Sequence, residues 1–449
     1  MWARFLSLFL SRLIKRGSLV VVYPDERSVR YGETSPSPVT VRLHSRSLPR
    51  KLFINPDLSL GEAYMDGTLT IDADDIYGLV ELLLVNLGRH KDTWHLRWLS
   101  RLRRAGRGIA QFNPVGRARR NVAHHYDLSG QLYDLFLDTD RQYSCAYFRH
   151  PSDSLETAQK AKKALIAAKL LLKPGHRVLD IGSGWGGLAL DLNRDHGAYV
   201  TGVTLSEEQI KLARERAWTM GASEKVQFRL EDYRNVTGTF DRIVSVGMFE
   251  HVGVPHYQTF FDKVRDSLNE DGVALLHTIG QIDGPGATNP WIAKYIFPGG
   301  YIPAMSEILP FIERAGLYVT DIEVLRLHYA ETLRAWRAHF DARVDQVRQI
   351  YDERFCRMWR FYLVASELAF RHGGYVVFQI QLAKRQDAVP LTRDYLMPAD
   401  LSTKPTVRVA VPGQHLRETR TDEPYHGPRL GRGTMVARLE QSPRYSKGH

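Results

Sequence analysis

The chain has 449 residues, room for two or three domains with a sizeable core, and its 43% hydrophobic content excludes a disordered or fibrous protein. Lys and Arg number 61 against 50 Asp and Glu, a formal net charge of +11 that points to an anionic partner such as a lipid headgroup surface or nucleic acid. Two distant cysteines, Cys145 and Cys356, speak against a disulfide framework or structural zinc site and for a reducing compartment, and no apolar run approaches the ~20 residues that cross a bilayer, so any membrane role is expected to be peripheral.

At the N-terminus Trp2, Phe5, Leu6, Phe9, Leu10, Leu13 and Ile14 recur at helical spacing beside Arg4, Arg12, Lys15 and Arg16. No small-residue cleavage site follows, which argues against a secretion signal. Two readings stay open: a helix packed on its own domain or on a second subunit, and an interfacial helix laid on lipid. Alternating runs at Leu19–Val22 and Val39–Leu43 predict a small β-rich unit over residues 18–75, and Ile76–Leu87 predicts a helix. Residues 1–96 are therefore expected to form a smaller α+β domain.

Residues 97–120 are dense in arginine (Arg97, Arg101, Arg103, Arg104, Arg107, Arg117, Arg119, Arg120) and contain Gly106, Gly108, Asn113-Pro114 and Gly116. This is expected to be an interdomain connection, either a solvated linker or a basic patch on anionic phospholipid, where each cation contributes about 1 kcal/mol. Nucleic acid is the weaker partner, because no binding motif accompanies these arginines.

The run Val178-Leu179-Asp180-Ile181-Gly182-Ser183-Gly184-Trp185-Gly186-Gly187 predicts a buried strand, a glycine turn and a helix start, with Gly182, Gly184 and Gly186 able to let a ligand approach the backbone. Asp180 ends the strand. A carboxylate there repels a pyrophosphate and suits a cationic ligand, and S-adenosylmethionine carries both an ammonium and a sulfonium. The second strand, Tyr199–Leu205, leads to Thr204, Ser206 and Gln209, placed to meet ribose hydroxyls. The third, Val226–Leu230, ends in Glu231-Asp232-Tyr233, where a carboxylate accepts from an adenine amino group. The fourth, Phe240–Val246, runs into Gly247-Met248-Phe249-Glu250-His251, and Leu275–Ile279 and Tyr375–Ala383 are further apolar strands. Strands alternating with helical stretches predict an α/β, mostly parallel, Rossmann-like sheet with the ligand at its carboxyl edge, the class I S-adenosylmethionine-dependent methyltransferase fold. The catalytic domain is expected to span 121–390, with a mobile tail at 391–449.

Several further strings are legible together: His125-Tyr126-Asp127-Leu128, Tyr143-Ser144-Cys145-Ala146-Tyr147-Phe148, Gly202-Val203-Thr204-Leu205-Ser206, Phe249-Glu250-His251-Val252-Gly253, Leu276-His277-Thr278-Ile279, Tyr295-Ile296-Phe297-Pro298-Gly299-Gly300 and His328-Tyr329-Ala330-Glu331-Thr332-Leu333. In this order, over roughly 120–385, the chain resembles the cyclopropane-fatty-acyl-phospholipid synthases, and its N-terminal unit resembles the extra domain of the phospholipid branch.

The resemblance implies methyl transfer to a cis double bond of an acyl chain in membrane phospholipids, then ring closure with loss of a proton to bound bicarbonate. It assigns Glu250, His277 and Tyr329, with the backbone amides of Cys145 and Ile279, to the anion. Tyr143, Ser144, Gly182, Gly184, Thr204, Gln209, Asp232 and Tyr233 it assigns to the methyl donor. A cation in a dry channel further calls for aromatic faces, for which Tyr147, Phe249, Tyr295 and Phe297 are candidates. Ser366 stands where many relatives carry cysteine, so a thiol nucleophile there is not expected. The expected setting is cytoplasmic, peripheral at the inner membrane face, with a homodimer left open, and with no metal and no nucleic acid. A methyl-branched or methylene product, and a lipid-binding protein without catalysis, are the alternatives.

Overall fold

The computed structural model describes residues 1–88 and 130–396; the arginine-rich stretch 97–120, the string His125–Leu128 and the chain beyond Leu396 lie outside the described residues. Helix Trp2–Leu13 buries Leu6, Leu10 and Leu13 against a four-stranded sheet and its helices, which is the self-packing reading of that segment. Its opposite flank is aromatic: Phe5 stacks on Phe53 at 5.9 Å, Trp2 and Phe9 meet the same ring, and Arg50 lies over Trp2.

Strands β1 (Ser18–Val22), β2 (Ser28–Gly32), β3 (Val39–Leu43) and β4 (Leu69–Ile71) form the first sheet in the order β2-β1-β3-β4, with β1 and β3 parallel and the other pairs antiparallel. Helices Leu48–Ile54 and Pro56–Met65 interrupt the β-rich stretch, each opened by a proline in its first turn, where a missing N–H costs nothing. Helix Ile76–Leu87 falls where its sequence predicts, begun by the Asp75 carboxylate, which accepts from Gly78 N at 2.8 Å, and closed at Gly88.

The catalytic part is built on seven strands: β5 (Arg177–Ile181), β6 (Tyr199–Thr204), β7 (Val226–Leu230), β8 (Phe240–Val246), β9 (Leu268–Gln281), β10 (Tyr318–Leu325) and β11 (Tyr375–Ala383), in the order β10-β11-β9-β8-β5-β6-β7. The pairs among β5 to β9 are parallel; β11 is antiparallel to both β9 and β10. Chain order reverses between β5 and β8, which opens a crevice above their carboxyl ends. The mostly parallel α/β expectation is therefore met.

The N-terminal unit packs on helices Pro290–Tyr295 and Glu353–His372. Trp291 is fully buried with its indole N–H on Met65 Sδ at 3.2 Å, Glu62 receives both Lys294 Nζ (2.6 Å) and the Tyr295 hydroxyl (2.8 Å), and Arg360 reaches Asp74 at 3.0 Å. Among the described residues no helix is long and apolar enough to cross a membrane.

Candidate active site

A cavity of about 1230 Å³, partly open to solvent, lies over the reversal point. Of the expected donor residues, Tyr143, Ser144, Asp180, Gly182, Gly184, Thr204, Gln209, Asp232 and Tyr233 line it, from the ends of β5, β6 and β7 and from the loop before helix Leu155–Lys169. Gly184 sits at φ +54°, and a Cβ there would have no protein atom within 4 Å, so this part of the turn opens on empty space.

Burial pushes the Asp180 carboxyl up to about 7, and one of its oxygens, like the Ser183 hydroxyl, has no hydrogen-bond partner. An orphaned carboxylate at the end of β5 is an acceptor waiting for a donor or a cation. This fits the ammonium and sulfonium of the expected cofactor better than any phosphate.

Two expected donor residues do other work. Gly186, at φ +83°, caps helix Gly187–His196, and a Cβ there would stand 2.6 Å from the Phe228 ring, so its role is close packing of turn on strand. The Ser206 hydroxyl caps helix Glu207–Thr219 by accepting from Gln209 N at 3.2 Å; Thr204 donates to Gln209 Oε1 at 2.9 Å, so these two residues aim Gln209. Both carboxylate oxygens of Asp232 receive Arg234, at 2.8 and 2.7 Å, which holds the acid below its usual range against the cost of burial.

The other candidates, Cys145, Glu250, His277 and Tyr329, are buried and do not line this cavity, although Ser144 beside Cys145 and His251 beside Glu250 do; Ile279 is half-buried. Glu250 projects from the 3-10 turn Phe249–His251 after β8. Its Oε1 accepts Ile279 N at 2.6 Å, its Oε2 has no partner, and burial raises its pKa to about 7. His277 pairs in register with Val246, the last residue of β8, and so stands level with the carboxyl edge although β9 runs four residues further. Burial and the Lys162 and Lys169 cations push its pKa down to about 3, and the ring is neutral.

Ala146 N, next to Cys145, donates to Thr332 Oγ1 at 3.0 Å, one helical turn from Tyr329. Hydrogen bonds thus join Glu250 to Ile279 directly and tie the Cys145 segment to Tyr329's helix through Thr332. Burial holds the Cys145 thiol well above its usual range, so its backbone is the usable group.

Phe249 is a correction. It is fully buried among Tyr257, Phe260 and Phe261 in a separate core, because the turn after β8 points its ring away from the cavity. Tyr147 stacks on His328, and Tyr295 turns to Glu62. Of the four expected rings only Phe297 approaches the site, edge-on to His251 and Tyr362 at 6.0 and 5.9 Å. Tyr143, which lines the cavity, stacks on Trp336 at 5.1 Å, and its hydroxyl meets that of Tyr362 at 2.8 Å.

Sequence reasoning also passed over His251, which lines the cavity and is kept neutral by burial, at about 4. It missed Lys162 too, whose ammonium holds Gln142 Oε1 (2.7 Å) and Ser144 Oγ (2.8 Å). A lysine on an apolar helix face was the available signal.

The family model for mycolic acid cyclopropane synthetase matches residues 115–380, and one for a domain of unknown function matches 5–91. The cyclopropane-fatty-acyl-phospholipid synthase of Escherichia coli K12 is 40% identical over 352 residues, covering 78% of this chain and 88% of that protein. Tuberculostearic acid methyltransferase UfaA1 of Mycobacterium tuberculosis is 34% identical over 401 residues, covering 83% and 90%. Among solved structures, the cyclopropane synthase MmaA2 from M. tuberculosis matches with TM-score 0.57 at 33% identity, over 61% of this chain and 99% of that one. The mycolic acid cyclopropane synthase CmaA1, complexed with SAH and CTAB, matches with TM-score 0.56 at 33% identity, over 60% and 99%.

Proposed function

The chain belongs to the mycolic acid cyclopropane synthetase family, and from that premise we propose that it transfers a methylene group from S-adenosylmethionine to the cis double bond of unsaturated acyl chains in membrane phospholipids, forming cyclopropane fatty acids. The observation that carries this is the adjacency of two unlike environments. An open cavity with an orphaned Asp180 oxygen is lined by His251, the chain neighbour of Glu250, which is itself buried with an unpaired oxygen.

An alkene is a poor nucleophile, so the protein must hold donor and double bond in line and exclude water from the cation that follows. Asp180, Gln209 and Asp232 would hold S-adenosylmethionine, which would supply the electrophilic methyl. Tyr143, which lines the cavity, is the candidate aromatic face for the cation.

A bound bicarbonate would supply a proton acceptor that burial denies to a lone carboxylate. Its holders would be Glu250, His277, Tyr329 and the amides of Cys145 and Ile279. Their chemistry fits, since Glu250, with its pKa near 7, can carry the proton that one of two carboxyl-like groups in contact must carry. The Ile279 amide, engaged by Glu250 here, would be shared.

Residues 1–96 as a lipid-associated domain, 97–120 as a basic linker, 121–390 as the catalytic domain and 391–449 as a tail are part of this proposal; the separate matches at 5–91 and 115–380 support the division into an N-terminal unit and a family domain. The 40% identity to a relative named a cyclopropane-fatty-acyl-phospholipid synthase supports phospholipid as substrate, and the match to UfaA1 over 83% of the chain keeps a methyl-branched product as the alternative. Peripheral attachment to an anionic membrane surface at the inner, cytoplasmic face, strengthened by homodimerisation, completes the proposal.

Expression in a host without cyclopropane lipids should give acyl chains heavier by one CH2, with ring protons replacing olefinic ones in NMR spectra. Methyl-branched or methylene products would assign the reaction to the variant chemistry. Unchanged chains beside folded protein would leave only lipid binding.

A further inference from the structure

Three side chains stand in one row across three strands. His277 in β9 is the register partner of Gln379 in β11, and Gln379 is in turn the register partner of Glu323 in β10. Lys169, at the end of helix Leu155–Lys169, closes the row from above: its ammonium donates to Glu323 Oε2 at 2.5 Å and to Gln379 Oε1 at 2.7 Å. The Gln379 amide nitrogen then faces His277 Nδ1 at 3.0 Å. Lys169, Gln379 and His277 are each at most 2% exposed.

The direction of each bond follows from chemistry alone. An ammonium paired with a carboxylate only donates, so the Gln379 atom that touches Lys169 must be the carbonyl oxygen. The other end of that amide is therefore NH2, which also only donates. His277 Nδ1 has to accept, and the neutral ring carries its proton on Nε2.

We infer that Lys169 and Gln379 are positioning residues that lock His277 as the Nε2–H tautomer, making it a hydrogen-bond donor toward the candidate anion site. A donor at that position holds an anion and does not compete with it for the substrate's proton. This rests on the bicarbonate reading above for its functional consequence; the tautomer itself does not. Fixing an imidazole's free nitrogen through a partner on the other is how outer groups tune ligating histidines, and losing such partners typically costs about 10–100-fold.

The deciding variant is Gln379→Glu. A carboxylate there keeps the Lys169 contact but can only accept, so the ring must put its proton on Nδ1 and leave Nε2 bare. Long-range 1H–15N spectra of 15N-histidine-labelled full-length protein, with His277 assigned by its loss in His277→Gln, read the tautomer directly. Wild type should show Nε2–H and Gln379→Glu should show Nδ1–H.

In parallel, the bicarbonate concentration giving half-maximal activity should rise roughly 10–100-fold in the variant, while donor affinity by calorimetry stays within about twofold. If Gln379→Glu fails to fold, Gln379→Met, which leaves Nδ1 without a donor, should show a mixture of tautomers and an intermediate bicarbonate requirement. Wild type protonated at Nδ1, or a variant with unchanged tautomer and bicarbonate dependence, would overturn the inference. If the wild-type enzyme yields no modified lipid the functional reading fails, and the spectra still decide the lock.

Discussion

Glu250, the residue proposed to handle the proton, carries the cost of burying a carboxyl in one side chain. Desolvation lifts its folded pKa from an ordinary 4.5 to about 7, opposed by the Ile279 amide. A carboxyl with a raised folded pKa contributes stability that is complete below about pH 4.5 and is lost as pH rises through about 7. The unfolding free energy of wild type relative to Glu250→Gln, followed by urea denaturation, should therefore fall across that window and stay flat above it. The same variant should lose turnover by at least about 100-fold, because an amide cannot exchange a proton, while donor binding persists. Full activity in Glu250→Gln would contradict the assignment. Glu250 itself was legible through the string around it, as was Asp180 from its place before a glycine turn. Gln379 was not: within Tyr375–Ala383 it reads as the polar step of an alternating strand, and its partners lie 102 and 210 positions away.

At the scale of elements, strand positions were the most readable layer, since apolar runs of five to seven residues between turn signals leave few alternatives. β6, β7, β8 and β11 fall within a residue of expectation. What helix starts do with their polar residues was less readable. Ser206 and Gln209 have the spacing of a cap, and the serine is spent on the helix rather than on ligand. Ser206→Ala should cost about 1 kcal/mol of stability and loosen Gln209, a modest rise in donor Kd being the readout. Gly186→Ala meets both a left-handed backbone and the Phe228 ring, and should cost more, about 1–3 kcal/mol by thermal unfolding. The helices of residues 48–65 were missed because their short apolar stretches carry too few turns to separate helical from strand period.

Across the whole molecule, the N-terminal unit is keyed to the part built on the larger sheet through Trp291. Gly61 lets Trp291 into the contact: a Cβ there would stand 2.4 Å from its indole nitrogen. Ten residues beyond Trp291, Tyr301 N donates to the Glu250 carbonyl at 2.9 Å, so the N-terminal unit and the Glu250 turn share one connecting segment. Gly61→Leu should destabilise the protein by about 1–3 kcal/mol and lower activity on vesicles, checked by thermal unfolding and product formation together.

If charge recruits the enzyme, sedimentation with anionic vesicles should weaken at moderate salt; salt-independent binding would shift the contact to the aromatic flank of Trp2, Phe5, Phe9 and Phe53. The purified protein, supplied with S-adenosylmethionine, bicarbonate and vesicles of cis-unsaturated phospholipid, allows the most direct measurement. Mass spectrometry and NMR should find cyclopropane rings in the acyl chains with wild type and none with Glu250→Gln. Olefins left intact by folded, donor-binding wild type would contradict the account.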